Sequence, residues 1–114
     1  MVHYYMSQFE YILFFRKGRA VRINDCGTSD IISVPNKKQK GEDGKNLHDT
    51  EKPVGLMDVL IKNSSNEGDL VLDPFMGIGA AGVSAIGLNR NFIGIELDDG
   101  YFDIAKSRIE NVNK

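Results

Sequence analysis

The spacing of apolar positions divides the chain near residue 53. Before that point, Phe9 to Phe15 is aromatic and aliphatic with no helical period, which predicts a strand. Lys17-Gly18-Arg19 predicts a turn and Ala20 to Ile23 a short returning strand, together a hairpin. Pro35 to Asp49 is polar and rich in Lys, Gly and Asn, and reads as a loop. Beyond it, Pro53 suits the first turn of a helix, and Leu56, Met57, Leu60 and Ile61 follow at helical spacing. Asn63-Ser64-Ser65-Asn66 ends that helix, and Glu67-Gly68-Asp69 turns the chain. Leu70-Val71-Leu72 is a short apolar run typical of a strand buried on both faces, ended by Pro74. Gly79 to Leu88 is small and apolar, as in a helix packed close to a sheet, and Phe92 to Ile95 is a second buried strand. Asp98 or Asp99 caps a last helix whose apolar face is Phe102, Ala105 and Ile109.

The predicted order is hairpin, loop, helix, strand, helix, strand, helix. Its strand–helix–strand part predicts a right-handed parallel crossover and an α/β fold. Ligands of such sheets bind beyond the carboxyl ends of the strands.

A length of 114 residues fits one small domain with a modest core. The single cysteine, Cys26, excludes an internal disulfide and suits a reducing cytoplasm. No apolar run approaches a membrane span, so no membrane partner is expected. Glu10 and the lack of a basic leader before Tyr11 to Phe15 do not resemble a signal peptide. The net charge of −2 conceals an asymmetry: between residues 16 and 40, Arg16, Lys17, Arg19, Arg22, Lys37, Lys38 and Lys40 face only Asp25 and Asp30. Such a stretch is either a phosphate-contacting surface or a solvated loop, and charge alone leaves both open.

Chemistry concentrates at the strand ends. After the first strand comes Asp73-Pro74-Phe75-Met76-Gly77-Ile78-Gly79, and after the second comes Glu96. Gly77 and Gly79 allow a tight turn and close approach of a ligand to the main chain. The helix that follows directs its amino-terminal amides into the same space. A carboxylate at the next strand end can accept hydrogen bonds from both hydroxyls of a ribose. The combination predicts a nucleoside-like ligand. Gly77-x-Gly79-x-x-Gly82 also matches a dinucleotide fingerprint. Against an NAD-binding fragment stand the residues Asp-Pro-Phe-Met between strand and glycines, and the single helix after Glu96. A third reading is that the glycines only make a turn and Glu96 is a surface acid.

Asp73-Pro74-Phe75-Met76-Gly77-x-Gly79 resembles the S-adenosylmethionine motif of DNA amino-methyltransferases, which methylate the exocyclic amine of adenine or cytosine. His48-Asp49-Thr50-Glu51-Lys52-Pro53 resembles that family's His-Pro-Thr-x-Lys-Pro segment. Asn91 to Glu96, with Tyr101, Phe102 and Ala105, resembles its second strand and following helix. Tyr11 to Phe15 with Lys17-Gly18 is similar to the end of its catalytic subdomain. The resemblance implies a partial Rossmann-like, S-adenosylmethionine-dependent methyltransferase fold with an N-terminal β-hairpin. It divides the chain into residues 1–34 as the end of a catalytic subdomain, 35–52 as a polar loop and 53–114 as a cofactor-binding half-domain. By the same resemblance, Asp73, Phe75, Gly77 and Gly79 line the methionine and sulfonium end of the cofactor. Glu96 takes the ribose hydroxyls, and Thr50 and Lys52 help bind the methionine carboxylate. DNA is the implied substrate, with Arg16, Lys17, Arg19, Arg22, Lys37 and Lys38 as contact candidates.

Two departures modify the expectation. Where the family carries Ser-Gly-Thr-Thr, this chain has Ile78-Gly79-Ala80-Ala81, and each lost hydrogen bond weakens cofactor binding by about 0.5–1.5 kcal/mol. Asp49 replaces a proline and adds a negative charge near a carboxylate site. The family's Asp- or Asn-Pro-Pro-aromatic motif, which holds the target amine and stacks on the flipped base, is not found: Pro35, Pro53 and Pro74 are all isolated. No catalytic residue is therefore expected in this chain. It is either a half whose catalytic motif a separate polypeptide supplies, or a non-catalytic remnant; an accessory DNA-binding role for residues 16–40 is a further option. Strands that would flank Leu70-Val71-Leu72 are also lacking, so either the N-terminal strand covers that edge or the chain forms a homodimer.

Overall fold

The computed structural model describes residues 9–19, 21–35, 43–45 and 51–112. Five elements follow one another: α1 (Val54–Ser64), β1 (Leu70–Asp73), α2 (Ala80–Gly87), β2 (Asn91–Gly94) and α3 (Asp99–Glu110). β1 and β2 pair in parallel, with Leu70 opposite Asn91 and Asp73 opposite Gly94. α2 is the hub, packing against both strands and both other helices. This is the α/β arrangement that the apolar spacing predicts.

Local chemistry accounts for the boundaries. Pro53 is extended and stands just before the first turn of α1, where its missing N–H costs nothing. Asp98 caps α3, its carboxylate accepting from the Tyr101 N–H at 2.8 Å. α2 consists almost wholly of small residues because it lies close to both the sheet and α3. A Cβ placed at Gly82 would come within 2.7 Å of the Phe92 ring and would also strike Ile109. The third glycine of the fingerprint therefore serves packing. Arg90 ties the layers at the other end, donating through Nε to Ser65 Oγ at 2.9 Å and through its two terminal nitrogens to the Leu88 and Ser65 carbonyls.

The structure corrects three expectations. The N-terminal hairpin is not formed: the described residues of 9–35 contain no strand. Phe9 and Tyr11 meet edge to face, but Tyr11, Leu13 and Phe15 project into solvent, and an isolated two-stranded hairpin without a surface to pack on is marginal in water. Nor does this segment cover the sheet, which has two strands among the described residues. It docks on α1 instead. Asn24 Nδ2 donates to the Lys62 and Ser65 carbonyls at 2.7 Å, the Asn24 N–H donates to the Asn63 carbonyl, and Val34 abuts Gly55 at the other end of the helix. Second, β1 is covered on one face, not two. Val71 and Phe92 lie on the half-buried face, whereas Leu70, Leu72, Ile93 and Ile95 are 61%, 60%, 49% and 54% exposed. Third, the buried stripe of α3 runs through Tyr101, Ile104, Ala105, Arg108, Ile109 and Val112, leaving Phe102 outside. Among the described residues, no helix is long and apolar enough to cross a membrane.

Because α2 can approach Phe92 and Ile109 only through Gly82, Gly82→Val is expected to destabilise the fold by about 1–3 kcal/mol despite removing a helix glycine. Chemical denaturation of the wild type and variant measures the difference.

Candidate functional site

The chain leaves β1 through a loop folded by its own main chain and carboxylates. Asp73 Oδ1 accepts from the Phe75 N–H at 3.1 Å, and the Met76 N–H donates to the Ile95 carbonyl at 2.9 Å, extending the strand pairing into the loop. Gly77 has φ +56° and Gly79 φ +85°, values that disfavour any side chain. Gly79 stands immediately before α2, where a Cβ would come within 3.0 Å of Ala105 on α3. Its two constraints are backbone handedness and helix packing.

Glu96 reaches across from the end of β2. Its Oε1 accepts from the Gly77 N–H at 2.8 Å and its Oε2 from the Asp98 N–H at 2.9 Å. One carboxylate thus joins both strand ends. A carboxylate offers about four lone-pair directions, so each oxygen keeps capacity for a further donor. The side chain is half-buried and borders a cavity of about 330 Å³.

That cavity brings together Lys52, Asp73, Phe75, Gly77 and Glu96 of the sequence-predicted residues. Gly79 is not among its lining residues and lies behind them against α3. Thr50 falls outside the described residues, as do Lys37 and Lys38. Ile78, Ala80 and Ala81 do line the cavity, so the wall without hydroxyls faces the space where they would have acted. Phe75 is exposed at the rim. The ammonium of Lys52 is 2.6 Å from Glu10 Oε2 in a largely exposed pair. Such pairs contribute at most about 1 kcal/mol, so another carboxylate can replace Glu10 at little cost.

Two cavity residues escaped the sequence reading. Met57 lies on the predicted helix face and carried no chemical signal. Glu51 is 6% exposed, and its carboxylate lies 3.4 Å from the Arg108 guanidinium. Its position inside the Thr-Glu-Lys-Pro segment and a charged residue on the buried stripe of α3 are the signals that could have marked the pair. Burial pushes the Arg108 guanidinium below its ordinary value, and Glu51 opposes that shift.

The basic candidates lie elsewhere. Arg16, Lys17, Arg19 and Arg22 line a second cavity with Phe14, Phe15 and residues 63–66 and 69. Those residues precede β1, whereas the Glu96 cavity follows it, so the two cavities sit at opposite ends of the strand. Arg16 stacks over Phe14 at 5.6 Å from the ring centre.

Residues 2–107 match the DNA methylase family, which is nearly the whole chain. The chain belongs to this family. It is similar to the type II methyltransferase M2.DpnII of Streptococcus pneumoniae, with 38% identity over 92 residues, 81% of this chain and 34% of that protein. It is also similar to the type II methyltransferase M.HinfI of Haemophilus influenzae, with 45% identity over 73 residues, 64% of this chain and 20% of that one. Among solved structures, the complex of M1.HpyAVI with SAM superposes with a TM-score of 0.54 at 40% identity, covering 67% of this chain and 41% of that one. A DNA modification methylase of Thermus thermophilus, TTHA0409, complexed with S-adenosyl-L-methionine, gives 0.52 at 36% identity, covering 54% and 26%. The DNA methylase chain described here therefore spans about a fifth to a third of the length of the curated relatives it matches. Family membership and the strand–loop geometry displace the NAD reading.

With Glu96 as the acceptor, Glu96→Ala is expected to leave the Gly77 and Asp98 amides without their partner. Their hydrogen exchange should accelerate about tenfold, the equivalent of roughly 1.4 kcal/mol for a lost charge-assisted bond, while amides inside α1 are unchanged.

Proposed function

We propose that this chain is the S-adenosylmethionine-binding portion of a DNA methyltransferase acting on the exocyclic amine of adenine or cytosine. The observation that carries the reading is the meeting of Glu96 and Gly77 at one cavity beyond the carboxyl ends of two parallel strands. When bound, the cofactor supplies an electrophilic sulfonium methyl group.

The donor set fits such a ligand. Glu96 retains free lone pairs for ribose hydroxyls. The Gly77 main chain, Asp73 and Phe75 border the sulfonium and methionine side. Lys52 meets the methionine carboxylate, exchanging Glu10 for it, and Thr50 assists. Gly79 holds the loop from behind. The Ile78, Ala80 and Ala81 wall offers no hydroxyl donor, so affinity is lower than a hydroxyl-bearing loop would give.

The catalytic motif comes from polypeptide outside these 114 residues. Support comes from the isolated prolines and from the sheet face of Leu70, Leu72, Ile93 and Ile95, which has the character of interior surface without a cover. A second copy of this chain is the other cover that the same face would accept. Support for DNA contact is the lining of Arg16, Lys17, Arg19 and Arg22 beside Phe14 and Phe15, basic and aromatic groups suited to phosphates and bases. Lys37 and Lys38 extend the same basic stretch in sequence. Because that groove lies at the far end of β1 from the cavity, its role is to hold DNA and not to meet the target base.

Calorimetric titration with S-adenosylmethionine is expected to show saturable binding by the wild type and about a hundredfold weaker binding by Glu96→Ala, which removes two charge-assisted hydrogen bonds to the ribose. Absence of wild-type binding at millimolar cofactor would favour a remnant without cofactor chemistry. Methyl transfer from labelled cofactor to DNA should be negligible for the chain alone. It should appear on mixing with a polypeptide bearing Asp-Pro-Pro-Tyr and the flanking strands; transfer by the chain alone contradicts the split.

A further inference from the structure

Arg108 has no part in the ligand contacts above, yet its environment is unusual for an arginine on a surface helix. Its side chain is 18% exposed and that of Glu51 only 4%. One terminal nitrogen lies 2.7 Å from the Ile78 carbonyl and 3.4 Å from Glu51 Oε1. Each acceptor belongs to a different wall of the cofactor cavity. Ile78 stands between the two positive-φ glycines, ahead of the first turn of α2. Glu51 immediately precedes Lys52 and Pro53, the segment that enters α1. Both Glu51 and Ile78 line the cavity.

We propose that Arg108 is a positioning residue that fixes the amino-acid end of the cofactor site by fastening Glu51, and with it Lys52, to the glycine loop. The inference rests on the cofactor reading and extends it to residues that never touch the ligand. A buried carboxylate needs a partner, and loss of that partner leaves an uncompensated charge that the chain relieves by moving. The movable part is the 51–52 segment, because Ile78 is flanked by Gly77 and Gly79, which have anchors of their own. The Gly77 N–H is held by Glu96, and the Gly79 N–H by the Met76 carbonyl at 2.8 Å. The nucleoside end is thus secured without Arg108: Glu96 is held by the Gly77 and Asp98 amides. Guanidinium suits the task because its fixed fork can serve a carbonyl and a carboxylate together, whereas an ammonium is a single point charge.

The test uses the full chain and two probes, S-adenosylmethionine and 5′-methylthioadenosine, which keeps the nucleoside but lacks the amino-acid portion. Calorimetry on the wild type, Arg108→Met, Arg108→Lys and Glu51→Gln is paired with thermal denaturation. For Arg108→Met, S-adenosylmethionine is expected to bind about tenfold or more weakly, the scale of one misplaced charge-assisted contact, and the nucleoside probe less than about threefold more weakly. Arg108→Lys should recover part of the loss, since it restores charge but not the fork. Glu51→Gln keeps the volume, and should repeat the selective loss even if Arg108→Met fails to fold. Equal losses of both probes across the folded variants, tracking the melting temperature, would mean that the pair only stabilises the fold, and would overturn the proposal. Unchanged affinity for both probes in Glu51→Gln would overturn it as well. Wild-type protein that binds neither probe removes the cofactor reading itself, and the proposal with it; wild-type binding with no selective loss removes the proposal alone.

Discussion

Two parallel strands end side by side, and a single carboxylate spans the gap between the loops that leave them. Glu96 accepts from the Gly77 amide with one oxygen and from the Asp98 amide with the other. Hydrogen bonds to a charged acceptor are about twice as strong as neutral ones, and these two set the positions of both loops at once. The glycine loop can take its left-handed turns only at Gly77 and Gly79, and the start of α3 is fixed two residues after the carboxylate by the Asp98 cap. The cavity exists because this cross-brace holds its walls apart without filling the space between them.

The rest of the fold serves that brace. α2 can point its first turn at the cavity only because Gly79 and Gly82 bring it within contact of α3 and Phe92. Ser84 of α2 donates to Asp58 of α1 at 2.5 Å, and Arg90 joins the far ends of the same helices. One layer is complete. The other face of the sheet is not: its leucines and isoleucines have the composition of a core and the exposure of a surface. That asymmetry, in a chain much shorter than its curated relatives, supports the proposal that other polypeptide carries the complementary strands and the catalytic motif.

Much of this was legible in the residues. From residue 53 onward, apolar spacing and caps place all three helices and both strands, because those signals are local: Pro53, Asp98 and the alternation in β1 and β2 act over a few residues. The pairing of the glycine loop with Glu96 was legible because each residue type is demanded by its strand end. What misled lay in long-range context. Phe9 to Phe15 has the composition of a strand, but a strand needs a neighbour, and among the described residues none pairs with it. Leu70 and Leu72 carry the pattern of double burial from a fold with a second covering layer. Gly79 shares a motif with Gly77 yet faces α3, since a motif gives spacing and not direction. The Glu51–Arg108 pair lies far apart in sequence, beyond the reach of any periodicity.

The shared carboxylate makes the Gly77 and Asp98 amides the natural reporters of the ligand. Backbone amide NMR during titration with S-adenosylmethionine measures them together with Asn24, whose amide donates to the Asn63 carbonyl at the opposite end of the fold. Saturable shifts at Gly77 and Asp98, with Asn24 unmoved, are the expected result. Gly77 and Asp98 resonances that stay in place at millimolar ligand, or shifts confined to residues near Arg16 and Arg22, would contradict the placement of the cofactor between the two strand ends.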